Sequence, residues 1–363
     1  MKHTFKVTLL LALIFLVAQI VGLVITKEYI STEEYIDPET KAVVKQVVSE
    51  DLPYNLERPE IEESTSYIWI LSAIIIGTLL LLAIIKFRKK VNIIVWWALV
   101  IILILDMAST FLNILKFIEN LELELYLIIR LLIEIILLCI LIRLKEKFDS
   151  WKLWFFLAVF STVSIAFAAF MPQAVAIILA FMLALAKIYR PAAVLNNFTE
   201  IFIYGGLAAM FVPVINLFAA FALLFLISIY DIIAVRHTKH MVKLAKFQAK
   251  SRVFAGLLLL YGKGKGIAAE GKGIIKDREK GKIAVLGGGD IGFPLLFSGA
   301  VMKELMLVNS ETIGFLKALI IPVFVTLALV YLLITGEKDK FYPAMPYLAV
   351  GCVLGYLAIL LLL

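Results

Sequence analysis

Apolar residues run along this chain in long blocks, and polar residues gather in the gaps between them. Blocks of about 18–25 apolar residues match a helix crossing a hydrocarbon core at 1.5 Å per residue. Within such a block only a helix satisfies its own backbone hydrogen bonds. The pattern predicts eleven helices, over 7–26, 67–86, 92–115, 125–143, 152–170, 172–188, 199–215, 217–236, 284–308, 312–335 and 342–363. The blocks at 172–188 and 199–215 are short and carry Pro172 and Pro213. The fold class that follows is an all-α membrane protein, a polytopic bundle of about 9–11 transmembrane helices, the lower number if short blocks are re-entrant. Block 7–26 follows Lys2 and Lys6 and has no small-x-small cleavage site after it, so it reads as an anchor that stays.

Composition agrees with a lipid solvent. The 363 residues are 63% hydrophobic, whereas a soluble domain is about half apolar. The net charge of +7 sits in blocks between the apolar runs, which is topology information rather than a nucleic-acid surface. Cys139 and Cys352 both lie in apolar runs and give neither a disulfide framework nor a metal spacing.

Lys and Arg in short loops mark the inner side. Lys86, Arg88, Lys89 and Lys90 mark one inner loop, Arg143, Lys145, Lys147 and Lys152 a second, and Lys187 with Arg190 a third. Loop 236–282 carries 13 Lys/Arg against 3 acids, and segment 27–66 carries 11 acids against 4 Lys/Arg. The N-terminus and loop 236–282 are therefore expected on the cytoplasmic side, and 27–66 outside as a small polar ectodomain. The chain divides into an N-terminal membrane region, 1–216, and a region 217–363 that holds the candidate chemistry. Within the basic loop, 239–252 reads as an amphipathic surface helix and Tyr261-Gly-Lys-Gly-Lys-Gly266 as a linker. Asn197-Phe198-Thr199 matches a glycosylation pattern but falls on the expected inner side, so it carries no weight.

A carboxylate in the hydrocarbon region costs roughly 2.5–3.5 kcal/mol on insertion scales and is a functional-site hypothesis by default. Asp231 lies in Ala222–Val235, five residues before Arg236, which places it about 7–8 Å from the inner end of its helix. Asp290 lies eight residues beyond Lys282, or about 12 Å in if that stretch is helical. One helix runs inward and the next outward, so the two carboxyls are expected at similar depth. Two close carboxyls in low dielectric share a proton. The ionised member can act as base on water while the protonated member polarises a carbonyl. Gly287, Gly288 and Gly289 weaken helix beside Asp290 and let another backbone approach. Neither a metal nor another cofactor is required.

Other intramembrane charges keep rival readings open. Asp106 lies mid-block, and Arg130 and Glu134 are four apart on one helix face, which suggests a structural ion pair shared with Asp106. Lys303, Glu304 and Lys317 are expected to snorkel at the outer interface. Read instead as an ion path, Asp106, Glu134, Asp231 and Asp290 would suit an ion-coupled transporter. A catalytically inactive scaffold that binds membrane helices is the third reading.

Tyr230-Asp231, followed by Gly287-Gly288-Gly289-Asp290, resembles the two aspartate motifs of presenilins and signal peptide peptidases. The stretch Ile229–Met241 is most similar to archaeal presenilin homologues. The family's third motif, proline-alanine-leucine before the last span, reads Pro343-Ala344-Met345 here, with Met of similar volume in place of Leu. The resemblance covers 217–363 in order and spacing, and upstream only the general pattern. It implies an intramembrane aspartic endopeptidase of the A22 type with Asp231 and Asp290 as its catalytic pair. It implies that Pro343, Ala344 and Met345 shape the site and help hold substrate extended. Tyr230 points about 100° around the helix from Asp231, where either orienting substrate or packing in the core would suit it, and the loosened run Gly287, Gly288 and Gly289 offers free backbone groups to an opened substrate. The implied partners are transmembrane substrates and the bilayer, not nucleic acid, and no accessory subunit is named. The implied setting is a prokaryotic, archaeal-like cell membrane. The family has nine spans.

Overall fold

Among the described residues helices follow the apolar blocks, with two exceptions; the block expected over 125–143 lies almost wholly outside the described residues. The computed structural model describes residues 5–36, 43–56, 66–116, 130, 132–135, 149–190, 192–237, 254–261, 282–336 and 342–362. In chain order these form α1 (Phe5–Lys27), β1 (Ile30–Ile36), β2 (Val43–Ser49), α2 (Ser66–Lys116), α3 (Ser150–Ala168), α4 (Gln173–Tyr189) and α5 (Ala193–Phe211). After them come α6 (Leu217–Ile232), β3 (Gly256–Tyr261), β4 (Lys282–Gly287), α7 (Gly289–Val308), α8 (Glu311–Ala318), α9 (Ile320–Thr335) and α10 (Met345–Leu361). Among the described residues seven helices are long and apolar enough to cross a membrane, and three shorter apolar helices accompany them. The protein is a polytopic helical bundle.

Residues 1–76 with 156–363 form one compact unit and 77–155 another. In the first unit α7 is the central helix. It is apolar around its whole circumference, the mark of a helix buried on all sides, and 13 of its 20 residues are buried. It packs on α1, α5, α6 and α10. Phe15, Leu295, Phe297, Met302, Ile321, Val325 and Leu348 are fully buried in the resulting core. Block 7–26 is thus a packed core helix. Apolar side chains on the outside, such as Phe218, Phe225 and Leu327, are exposed, as befits a lipid-facing surface.

Two small antiparallel sheets sit at opposite ends of α7, about 30 Å apart at 1.5 Å per residue. The β1–β2 hairpin pairs Ile30 with Ser49 and Ile36 with Val43. It is tied near the C-terminal end of α7, where Thr32 donates its N–H and hydroxyl to Glu311 Oε1 at 2.9 and 3.0 Å. Lys45 Nζ there donates to the Asn309 carbonyl at 3.2 Å. The β3–β4 hairpin pairs Gly256 with Gly287 and Tyr261 with Lys282, and β4 runs straight into α7.

In the second unit Arg130 Nη2 donates to Asp106 Oδ1 at 2.7 Å and Arg130 Nε to Glu134 Oε1 at 2.8 Å, the shared ion pair that the spacing suggested. The blocks 67–86 and 92–115 are not separated by a loop: α2 runs through both and leaves helical geometry only at Phe87. Lys and Arg are good helix formers, so the basic cluster there does not end the helix. The second exception is 284–287, expected to begin a helix and found in β4. Lys303 does not snorkel. It is buried and donates to the Pro213 carbonyl at 3.2 Å. The expected surface helix 239–252 and the glycine-rich linker after Tyr261 lie outside the described residues.

Candidate active site

Asp231 is the second-last residue of α6. That helix starts cleanly because the Asn216 side chain accepts from Ala219 N–H at 2.8 Å, an N-cap bond. Just past Asp231 the chain loosens into a π-helical turn, Ile233–His237, a distortion that recurs at functional sites. Asp231 is buried, and its Oδ2 accepts the backbone N–H of Met345 at 3.1 Å. Met345 opens α10, so this N–H has no acceptor within its own helix. Pro343 and Ala344 are buried immediately before it. The third motif therefore meets the first through the main chain.

Asp290 is the second residue of α7, half-buried, in the turn where helix N–H groups favour negative charge. Its carboxyl folds back over Gly287, whose missing Cβ would lie 3.3 Å from Oδ2. Pro294, four residues on, has no N–H, so the helical bond that would end on the Asp290 carbonyl is not made. Gly287 ends β4, Gly288 is the N-cap and Gly289 the first residue of α7. The glycine run is thus a strand-to-helix junction rather than a weakened helix. The 12 Å depth for Asp290, counted on helical rise, does not apply. It sits at the helix terminus, as Asp231 and Met345 do on α6 and α10, and these three helices pack on one another. Tyr230 is half-buried beside Asp231.

A buried polar cluster on α4 and α5 was not legible as part of this site. Lys187 Nζ, read from sequence as a loop charge, donates to Glu200 Oε1 at 2.6 Å, Asn196 Oδ1 at 2.8 Å and Thr199 Oγ1 at 3.1 Å. The Tyr204 hydroxyl donates to Glu200 Oε2. Asn196 Nδ2 donates to the Gly256 carbonyl at 2.8 Å. Asn197 holds β3 by both edges of its amide: it donates to the Leu258 carbonyl at 2.9 Å and accepts Leu258 N–H at 2.8 Å. On α1, Gln19 donates to the Ile291 carbonyl at 2.7 Å. Glu200 and Tyr204, four apart on an apolar helix, were the available signal. Among the described residues no group of three His, Cys, Asp or Glu side chains could hold a metal ion.

A family profile described as "Signal-peptide peptidase, presenilin aspartyl protease" matches residues 124–363. The chain belongs to that family. It is an intramembrane aspartyl protease of the presenilin type and an integral, multi-pass membrane protein. The presenilin-family fold extends over the whole chain: a solved structure of "a presenilin family intramembrane aspartate protease" superposes with a TM-score of 0.52 at 16% identity, covering 98% of this chain and 99% of that one. No curated protein sequence matches.

Proposed function

We propose that Asp231 and Asp290 are the catalytic pair of this presenilin-type protease. The observation that carries the reading is the Met345 N–H on Asp231 Oδ2, which joins the motif before α10 to the aspartate of α6. In the reaction one ionised carboxylate takes a proton from water as the oxygen attacks the scissile carbonyl. The other, protonated, donates to the carbonyl oxygen, giving a neutral gem-diol. Collapse of the diol expels the amine, which takes a proton from the first carboxyl, while the second recovers its own. No metal or cofactor enters.

The substrate is a transmembrane segment unwound near the site. Its extended chain is received by the β3–β4 hairpin through strand addition. Asn197 already occupies the outer edge of β3 at Leu258, and among the described residues β4 has no strand beyond it. Among the described residues the open edge is therefore that of β4, which leads to Asp290. Gly287, Gly288 and Gly289 permit the close approach, and Tyr230, Pro343, Ala344 and Met345 shape the other wall. The excess of Lys and Arg in loop 236–282 supports a cytoplasmic location for this end of the bundle, and the resemblance of Ile229–Met241 to archaeal presenilin homologues supports a prokaryotic cell membrane.

The test is incubation of the purified protein in liposomes with a single-span substrate. Cleavage is expected with wild type and is lost in Asp231→Ala and in Asp290→Ala. Intact substrate with wild type, or cleavage that persists in either variant, overturns the reading.

A further inference from the structure

The Lys187 cluster is costly for what it does as a helix tie. A charged group inside a membrane bundle is rare and must be paired. Lys187 and Glu200 are 4% and 1% exposed, so neither head group reaches an interface. A link between α4 and α5 would be complete at the 2.6 Å contact of this pair. The network goes further. Glu200 uses its second oxygen to receive the Tyr204 hydroxyl. That hydroxyl lies against Gly288, where a Cβ would come within 2.2 Å of it, and a Cβ added at Gly292 would lie 3.6 Å from the Tyr204 ring. Asp290 lies between those two glycines and within electrostatic reach of Tyr204. From the other side Lys187 holds Asn196, and Asn196 holds the Gly256 carbonyl, whose strand partner is Gly287. One ammonium thus braces both strands of the junction that presents Asp290.

We propose that Lys187, Glu200 and Tyr204 are positioning residues for proteolysis: a buried charge network that fixes the Gly287–Gly289 junction and so aims the Asp290 carboxyl. Tyr204 is the member that transmits the position, because its hydroxyl is held by Glu200 and pressed against the backbone of Gly288. The proposal rests on Asp290 being catalytic. It adds three residues, on α4 and α5, that touch neither substrate nor the reacting atoms.

The experiment measures kcat and KM separately in liposomes for wild type, Asp290→Ala, Tyr204→Phe, and the neutral pair Lys187→Met/Glu200→Gln beside its single variants. Either single variant of the ion pair strands a buried charge and is expected to lose thermal stability. The double variant removes both charges and regains it. If the network only holds helices together, activity returns with stability. If it aims Asp290, the folded double variant and Tyr204→Phe both keep a kcat lowered by roughly ten- to a hundredfold, the scale of an ångström-sized misplacement, with KM almost unchanged. Wild-type kcat in Tyr204→Phe or in the double variant overturns the inference while leaving the protease reading intact. Turnover that survives Asp290→Ala overturns both.

Discussion

Alanine at position 288 separates a local rule from the packing seen here. Gly288 has φ −65° and ψ −33°, a helical geometry that alanine adopts freely. On backbone grounds alone Gly288→Ala would stabilise by about 0.4–1 kcal/mol, by restricting the unfolded chain. The structure reverses the sign. The new Cβ would lie 2.2 Å from the Tyr204 hydroxyl and 3.1 Å from Cζ, so backbone or ring must move by about an ångström. Tyr204 is buried and cannot swing aside. Overpacking of this kind costs about 1–3 kcal/mol, and breaking a hydrogen bond to a charged Glu200 adds about 1.5–3 kcal/mol if the hydroxyl is displaced. A net loss of about 3 kcal/mol is expected. Reversible denaturant titration in detergent measures it. The same substitution in a Tyr204→Phe background, where the clashing oxygen is gone, should cost at least about 1 kcal/mol less. A neutral or stabilising Gly288→Ala in the wild-type background, or equal cost in both backgrounds, refutes the contact and with it the bracing of Asp290.

Asn197→Leu removes both bonds to Leu258 and should cost about 2–4 kcal/mol by stranding a buried N–H and C=O, read as lost hydrogen-exchange protection in β3. Met345→Leu should leave cleavage within about twofold, since the swap conserves volume and the donor to Asp231 is main chain. Met345→Pro deletes that donor and should lower kcat sharply. Glu311→Ala releases Thr32 and should raise exchange in the β1–β2 hairpin at a cost of about 1–2 kcal/mol, with the cleavage rate unchanged. Cleavage should fall at strongly alkaline pH, where Asp231 and Asp290 are both ionised and none is left to protonate the carbonyl; a flat rate there counts against the shared proton.

The sequence speaks plainly where one physical term dominates. Hydropathy governs the bundle, so the helix blocks and the two aspartates were readable at once, and the Asp106–Arg130–Glu134 cluster followed from helical spacing. The errors have local causes. Ile283-Ala-Val-Leu286 is a short apolar run, and periodicity cannot tell a buried strand from a helix at that length. Lys187 was assigned to a loop because basic residues near block ends usually mark membrane sides. Its partner Glu200 lies on the next helix, beyond the reach of any within-helix rule. Asn197 resembled a modification pattern, and its true work, holding an isolated strand edge, depends on a segment some sixty residues downstream.

The Lys187–Glu200 pair also bears on how the chain is made. Alone in lipid α5 would carry the uncompensated charge of Glu200, worth roughly 2.5–3.5 kcal/mol near a helix centre, whereas Lys187, in the last turn of α4, would snorkel to the interface at less cost. Only three residues, 190–192, separate the two helices. At about 5–20 residues per second Glu200 leaves the ribosome roughly one to three seconds after Lys187. Until then α5 is not available to pair with Lys187, and once both helices are made the 2.6 Å contact leaves the hairpin with no net charge from this pair. The pair thus ties the membrane compatibility of α5 to the presence of α4.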